Sequence, residues 1–290
     1  MTADASHDHT WDALLGEEVA GWGTSEPGAA VVGVAGVLGT AGPVDRPRPW
    51  ASVTKILAAL AVLDVVHDGL LGLDEPAGPA GSTVRHLLAH ASGLAFDGPR
   101  VLAPPGTRRI YSNTGIDAVT ELARERTSSR DAGVLLTDRV LRPLGMTGTT
   151  LQGPPSYGAV GPVNDLARLA QELLTPQVLR PGLVTLATTP TYPGLAGVLP
   201  GFGRQDPNDW GLGVELRGRK SPHWTPDTLS PTAFGHFGQS GAFLWVDPVH
   251  GLGLVAATDT AFGPWAAEAW PRTSRRVLAH AATLARRSPR

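Results

Sequence analysis

The chain has 290 residues, with 24 lysines and arginines against 26 aspartates and glutamates, a net charge of −2 and a pI near 6.5. This near-neutral balance argues against nucleic acid or an anionic membrane as a partner, and the length suits one large domain or two closely packed ones. Cysteine is absent, which excludes disulfides, zinc-thiolate sites and cysteine nucleophiles.

The first predicted elements are a short helix, a strand region and a long helix. Trp11 to Ala20 has an amphipathic pattern, and Ala29 to Leu38 predicts one or two short strands that meet in a turn. A proline-rich connector leads to a helix that starts near Ser52 and runs to about Val66. Because apolar residues cover nearly every face of this helix, we expect it to be central and buried.

The first residues carry no targeting signal that we recognise. Met1 to Asp12 is polar and lacks the apolar core and cationic start of a signal peptide. The longest apolar run, Ile56 to Val66, is too short to span a bilayer. The sequence therefore predicts a cytoplasmic protein with no membrane partner.

The middle of the chain, residues 73–204, has helical patterns separated by proline and glycine, without a convincing alternating strand. The predicted helices are one around Leu87 with Ser82 as its N-cap, one that follows Asn113, one from Val134 to Leu144, and one from Asp165 to Leu174 with Asn164 or Asp165 as its cap.

After Trp210 the sequence changes to an alternation of apolar and polar residues with a period of two, which is typical of strands. Leu212, Val214 and Leu216 alternate with small or charged residues, the runs Ala242–Val246 and Leu252–Ala257 flank a turn, and a last helix spans Trp265 to about Arg286. Strands at both ends and helices between them predict a mixed α/β fold. We expect a largely antiparallel sheet flanked by helices, formed by residues 1–72 and 205–290, with an inserted all-helical subdomain at 73–204.

Ser52 and Lys55 are the candidate catalytic pair. Three residues apart at the start of a helix, they share one face, and the serine oxygen lies near the positive end of the helix dipole. A lysine whose pKa is lowered by burial can accept the serine proton, which arginine cannot do. The spacing alone is weak evidence, and by itself it favours the interpretation of Ser52 as a helix cap beside a salt-bridged lysine.

Two other segments carry groups suited to the same chemistry. Tyr111 offers a phenol that can relay protons, and Asn113 an amide that can orient a carbonyl or the lysine. Gly235 to Gly241 contains His236 and is rich in glycine, so its backbone N–H groups can face a ligand. The structural alternatives are a core tyrosine, an N-cap asparagine and a structural histidine.

Other candidates are weaker. His86 and His90 have the spacing of zinc ligands on a helix, but Leu87 stands where a metalloprotease helix has glutamate, so we predict no metal site and no cofactor. Trp210, Trp224 and Phe237 are candidates either for the wall of an apolar acyl pocket or for ordinary core.

Taken in order, these segments resemble the serine β-lactamase-like family, which includes class C β-lactamases, D-alanyl-D-alanine carboxypeptidases and esterases of the same fold. The resemblance runs from about Ala29 to Thr258. Its further segments are Asp68 to Asp74, His86 to Leu94, Pro105-Gly106 before Tyr111-Ser112-Asn113, Arg142 to Met146 and Asp165 to Arg168.

The resemblance implies a role for each motif residue. Ser52 would be the acylated nucleophile, Lys55 its proton acceptor, and Tyr111 the group that passes a proton to the leaving group and then activates water. Asn113 would hold the substrate or Lys55. The backbone N–H groups of Ser52 and Gln239 would form the oxyanion hole, and the partner would be a small-molecule acyl substrate.

The third motif departs from the family. β-Lactamases and penicillin-binding proteins have Lys-Thr/Ser-Gly there, and this chain has His236-Phe237-Gly238. A cation and a hydroxyl that bind a substrate carboxylate are thus replaced by an imidazole and an apolar ring. We therefore predict a serine hydrolase of small carboxylic esters. The alternatives are an amidase, peptidase or β-lactamase that uses the same residues, and a non-catalytic binding or sensor module.

Overall fold

The computed structural model describes residues 9–287. The absence of a signal peptide was predicted from Met1 to Asp12, and residues 1–8 of that stretch lie outside this range. The helices are α1 (His9–Ala20), α2 (Thr54–His67), α3 (Val84–Leu88), α4 (Asn113–Thr127), α5 (Ala132–Leu136), α6 (Val163–Leu174), α7 (Leu183–Thr188) and α8 (Pro264–Arg287). None of these helices combines the length and apolar character needed to cross a membrane.

The strands form one large sheet and two small ones. They are β1 (Gly28–Gly33), β2 (Gly36–Ala41), β3 (Arg48–Pro49), β4 (Thr150–Leu151), β5 (Ala159–Gly161), β6 (Gly197–Leu199), β7 (Gly203–Gln205), β8 (Glu215–Leu216), β9 (Phe234–Gly238), β10 (Ala242–Asp247) and β11 (Leu252–Ala257). The large sheet is antiparallel with the order β2-β1-β11-β10-β9-β8. Strands from both chain ends thus share one sheet, which confirms the predicted mixed α/β fold.

Both faces of this sheet are covered. Because successive side chains of a strand point to opposite faces, Leu244 and Val255 join a core that includes α2 and α6, while Phe243 and Leu254 join a second core with α1 and α8. Strands β1, β10 and β11 are buried along their whole length. A sheet buried on both faces gives the site a rigid support.

Helix α2 is the central helix that the sequence predicted. It is buried from Thr54 to Val65, and it packs against α4, α7 and the end of the large sheet. An apolar surface on all sides is what a fully enclosed helix requires. Its first turn therefore holds Lys55 inside the protein instead of at its surface.

The middle region differs from the prediction in its strands and caps. Residues 73–204 are not purely helical, because β4, β5 and β6 lie within them and β7 begins there. Each of these strands has two or three residues, too few to show an alternating pattern. Thr83, not Ser82, caps α3, and Asp131 caps α5, which continues as a π-turn from Thr137 to Leu141.

Two further differences lie near the ends of elements. Helix α6 begins at Val163 without a side-chain cap, because the carboxylate of Asp165 instead accepts hydrogen bonds from the loop residues Gly148 and Thr149. The strand expected over Leu212 to Leu216 is reduced to Glu215–Leu216, because a tight turn with Gly213 at φ 79° precedes it.

Candidate active site

A short 3-10 turn, Ala51–Val53, presents Ser52 at the entrance to α2. Ala51 has a φ of 44°, a left-handed conformation that alanine rarely adopts and that is often found at functional sites. The turn is held from two sides: the Thr54 hydroxyl donates to the Ala51 carbonyl at 2.6 Å and accepts from the Ala159 amide at 3.0 Å. Ser52 is therefore half-exposed on a turn whose backbone is fixed.

The end of β9 lies directly against this turn. A Cβ atom at Gly238 would meet the Trp50 carbonyl oxygen at 2.2 Å, so only glycine allows this approach. Gln239 follows at the mouth of the site, and its carbonyl accepts from the Phe262 amide at 2.9 Å. Ser52 and Gln239 both line one cavity, and the resemblance expects their N–H groups to form the oxyanion hole.

Lys55 is fully buried and contacts three acceptors. Its Nζ lies 3.3 Å from the Ser52 Oγ, 2.6 Å from the Asn113 Oδ1 and 2.8 Å from the Ser156 carbonyl oxygen. An ammonium group can donate to all three. A neutral amine can donate to Asn113 and Ser156 and turn its lone pair to the Ser52 hydroxyl, so a proton can pass between the two side chains without rearrangement.

Burial sets the protonation of Lys55. Desolvation lowers its pKa from 10.5 to about 7, although the charges of Asp117 and Asp97 act in the opposite direction. A substantial fraction of the lysine is thus neutral near neutral pH. This is the property that a base for the Ser52 proton needs.

Two carboxylates position the acceptors around Lys55. Asp97 accepts from the Asn113 Nδ2 at 3.1 Å, which orients the amide so that its oxygen faces the lysine. Asp117 accepts from the Ser156 amide at 2.9 Å and so holds the loop whose carbonyl contacts Lys55. Burial raises the pKa of Asp117.

Tyr111 lies just before α4, whose N-cap is Ser112 and not Asn113. Its ring lies under the Lys55 Nζ, 4.7 Å from the ring centroid. Burial raises the pKa of Tyr111, while a hydrogen bond with Ser52 acts in the opposite direction. The phenol is therefore protonated in the resting site and is able to donate a proton rather than accept one.

His236 uses both ring nitrogens within the protein. Its Nδ1 lies 2.7 Å from the Phe237 carbonyl oxygen, which can only accept, so we assign the proton to Nδ1. Its Nε2 then accepts from the Tyr111 hydroxyl at 3.2 Å. Burial, followed by the charge of Lys55, lowers the pKa of His236 to about 3. The imidazole is neutral and offers no free N–H to a substrate carboxylate.

A cavity of about 320 Å³ opens beside Ser52, at the small end of the usual range for ligand sites. Apolar and aromatic side chains make up most of its wall. The lining residues are Ser52, Phe96, Tyr111, Leu199, Pro200, Trp210, Glu215, His236, Phe237 and Gln239. Trp210, Trp224 and Phe237 all belong to the second core, and Trp210 and Phe237 also line this cavity, which Trp224 does not.

Glu215 reaches this cavity but is already paired. Its Oε1 lies 2.9 Å from the Lys220 Nζ and 2.8 Å from the His223 Nε2, and its Oε2 accepts from the Trp224 Nε1 at 2.7 Å. Burial would raise the pKa of Glu215, but the charges and hydrogen bonds of Lys220 and His223 outweigh it and lower the pKa well below its usual range. An ionised, fully paired carboxylate is a poor base, so Glu215 supports the wall.

His86 and His90, which have the sequence spacing of zinc ligands on a helix, do not lie on the same helix. Helix α3 ends at Leu88, so His90 lies beyond it, with φ 55° and its Nδ1 accepting from the Ser112 amide. His86 instead stacks on Tyr192. In residues 9–287 no group of three or more histidines, aspartates and glutamates is arranged to hold a metal ion.

The structure thus brings Ser52, Lys55, Tyr111, Asn113 and His236 together, with Phe237, Gly238 and Gln239 at the edge. Their catalytic and binding roles stay predictions. Sequence reasoning missed the groups that support them, namely Asp97, Asp117, Ser156 and the Glu215 cluster. These groups reach the site from distant parts of the chain, and no local motif marks them.

Comparison with known proteins gives matches over most of the chain. The sequence model of the β-lactamase family matches residues 29–279. A solved β-lactamase from Mycobacterium bovis is 50% identical, covers 92% of this chain and 99% of its own, and superposes with a TM-score of 0.89. A search of curated proteins gave no significant match.

More distant structures share the fold. A mutant of simvastatin synthase from Aspergillus terreus is 17% identical, with a TM-score of 0.75 over 94% of this chain and 99% of its own. A hydrolase with promiscuous acyltransferase activity, EstCE1, is 18% identical, with a TM-score of 0.74 over 93% of this chain and 100% of its own. The length of the family match and the identity to the mycobacterial protein identify this chain as a member of the β-lactamase family.

Proposed function

We propose that the protein is a serine hydrolase that cleaves small carboxylic esters through an acyl-enzyme on Ser52. The observation that carries the proposal is the setting of Lys55, whose Nζ contacts the Ser52 Oγ while Asn113 and Ser156 hold its other N–H groups. With a pKa lowered to about 7, this lysine can take the serine proton at neutral pH.

In the acylation step, the Ser52 Oγ attacks the ester carbonyl carbon and its proton passes to Lys55. The backbone N–H groups of Ser52 and Gln239 stabilise the negative charge that develops on the carbonyl oxygen. When the bond from the acyl carbon to the alcohol oxygen breaks, the Tyr111 phenol gives its proton to the leaving alcohol. The proton held by Lys55 then restores the phenol.

In the deacylation step, water attacks the acyl carbon and the same groups act in reverse. The Tyr111 hydroxyl passes its own proton to the neutral Lys55 amine as its oxygen takes the proton of the water, and Lys55 then returns a proton to the Ser52 oxygen as it leaves. No cofactor takes part in either step. The released products are a carboxylic acid and the free enzyme, so atoms and charges balance over the cycle.

The third motif favours esters over substrates that carry a carboxylate beside the scissile bond. His236 is neutral, and its nitrogens are occupied by the Phe237 carbonyl and the Tyr111 hydroxyl. The site therefore has no cation at the position where β-lactamases place the lysine of their third motif. The apolar wall of the cavity suits an uncharged acyl group.

Hydrolysis of β-lactams by the same residues is the second candidate. It is favoured by the 50% identity to the mycobacterial protein described as a β-lactamase. Ester hydrolysis and β-lactam hydrolysis both require Ser52, so the loss of activity on substitution of Ser52 does not distinguish them. A non-catalytic binding or sensor module is the third hypothesis, under which we expect no turnover of any substrate.

A substrate panel tests the proposal. The kcat/KM values for p-nitrophenyl acetate and butyrate, a p-nitroanilide and a chromogenic cephalosporin are compared for the wild-type protein and Ser52→Ala. We expect the esters to be the best substrates and Ser52→Ala to lose their turnover. Faster cleavage of the cephalosporin would move the assignment to a β-lactamase, and ester turnover that survives Ser52→Ala would refute it.

A further inference from the structure

Large apolar side chains are exposed beside the site. Phe96, Val101, Leu102 and Val198 are 44–57% exposed. Three of them line one cavity, and Val101 adjoins Leu102 in the chain. Single exposed apolar residues are common on proteins, but a group of them next to a catalytic cavity indicates a binding surface.

These residues enclose a second compartment of about 310 Å³. It shares Phe96, Tyr111 and Pro200 with the cavity that contains Ser52, and the rings of Phe96 and Tyr111 stack with centroids 5.9 Å apart. The two compartments are therefore neighbours on either side of this aromatic wall. Together they offer room for a substrate considerably larger than a short-chain ester.

The second compartment has a positive rim. Arg108 is exposed there, and the ion pairs found within residues 9–287 do not include it. Arg109 is buried, and its guanidinium donates to the carbonyl oxygens of Asn208, Ala89, Thr191 and Tyr192 rather than to a carboxylate. The guanidinium of Arg109 is thus occupied, and Arg108 is the exposed cation beside this apolar compartment, which matches an apolar ligand with an anionic end.

Tyr111, the proton donor to the leaving alcohol in the proposed mechanism, lines both compartments, whereas Ser52 lines only the first. An alcohol that takes its proton from Tyr111 can therefore extend into the second compartment. The cavity beside Ser52 is then left for the acyl group. An alcohol that extends past the Phe96–Tyr111 wall reaches Arg108 with its far end.

We propose that this second compartment binds the alcohol part of the substrate, and that the preferred substrate is an ester of an apolar alcohol whose far end carries an anionic group. This inference rests on the proposed esterase function and adds the substrate class to it. Arg108 supplies the charge recognition, while Phe96, Leu102 and Val198 contact the apolar chain.

The test compares ω-acetoxyoctanoate, which has a terminal carboxylate, with its uncharged methyl ester. Acetate release is followed for both. Because a partly exposed ion pair contributes a modest free energy, we expect the anion to have a kcat/KM about two- to fivefold higher. The preference should shrink when salt is raised to about 0.5 M, since screening weakens exposed charges.

Substitutions locate the effect. Arg108→Gln keeps a polar, flexible side chain but removes its charge, and it should bring the ratio of the two kcat/KM values to about one. Arg219→Gln is the matched control, an exposed arginine that lines neither compartment, and it should keep the wild-type ratio. Val198→Trp should fill the compartment and lower turnover of octyl acetate relative to ethyl acetate.

The outcomes separate this inference from the esterase assignment. Equal turnover of the charged and uncharged esters, unchanged by Arg108→Gln, would overturn the anionic subsite while ester hydrolysis stands. A readout without turnover is calorimetric binding of ω-hydroxyoctanoate, the product alcohol. Binding that is lost in Arg108→Gln supports the subsite even if the esters are not cleaved, and no binding to the wild-type protein overturns it.

Discussion

Lys55 is expected to destabilise the folded protein at neutral pH, and Lys55→Met tests this. The pKa of Lys55 is lowered from 10.5 to about 7 by burial. Between these two values the unfolded chain binds more protons than the folded protein, so the contribution of this group to the free energy of unfolding rises with pH. Methionine fills similar space and does not titrate.

The size of the effect follows from linkage. Each pH unit over which one proton is taken up on unfolding changes the free energy of unfolding by about 1.4 kcal/mol. Lys55 is only half protonated near pH 7 in the folded protein. Its contribution to the free energy of unfolding therefore rises by about 2 kcal/mol between about pH 7 and about pH 9.

The assay is urea unfolding of the wild-type protein and Lys55→Met at both pH values. Groups other than Lys55 titrate in both proteins, so they cancel in the difference between them. As the pH rises from about 7 to about 9, we expect the free energy of unfolding of the wild-type protein to increase by about 2 kcal/mol relative to that of Lys55→Met. A difference between the two proteins that does not change with pH would show that the lysine pKa is not lowered, and would remove the basis for its role as the base.

The remaining predictions concern ester hydrolysis. With ethyl acetate as the substrate, Tyr111→Phe should lower kcat by about 10²- to 10⁴-fold, because the leaving ethanol loses its proton donor; an unchanged kcat would exclude the role. Gly238→Ala should lower kcat by about 10²- to 10³-fold, since its Cβ would push β9 away from the Ser52 turn and misplace an oxyanion donor. In a pH–rate profile, kcat/KM should rise through about pH 7 as Lys55 loses its proton. Asp117→Asn should move that rise to lower pH, because it removes a charge that raises the lysine pKa, and a shift to higher pH would contradict this reasoning.

The sequence carried enough information for the fold and for the centre of the site. Helix α2 was predicted because apolar residues on every face need an enclosed position, and the β10–β11 hairpin because two apolar runs flank a turn. The Ser52–Lys55 pair shares one face for a purely local reason, the geometry of a helical turn. Tyr111 and the family segments then made it possible to predict that this pair lies in a candidate active site.

The rest depends on long-range contacts that leave no local pattern. The Ser156 carbonyl contacts Lys55 from about a hundred residues away, and only the folded loop shows that Asp117 holds it. The sequence did predict a mostly neutral imidazole at His236, but not that both of its nitrogens are occupied, since this depends on the neighbouring carbonyl and on Tyr111. Strands of two or three residues such as β4 and β5 are likewise fixed by pairing rather than by composition.

The role of Ser52 is tested most directly by labelling the protein with a serine-reactive fluorophosphonate and mapping the modified residue by mass spectrometry. We expect one adduct on Ser52, formed faster as the pH rises through about 7, and much slower labelling in Lys55→Met. An adduct on another serine, or labelling of Ser52 at the wild-type rate without Lys55, would contradict this expectation.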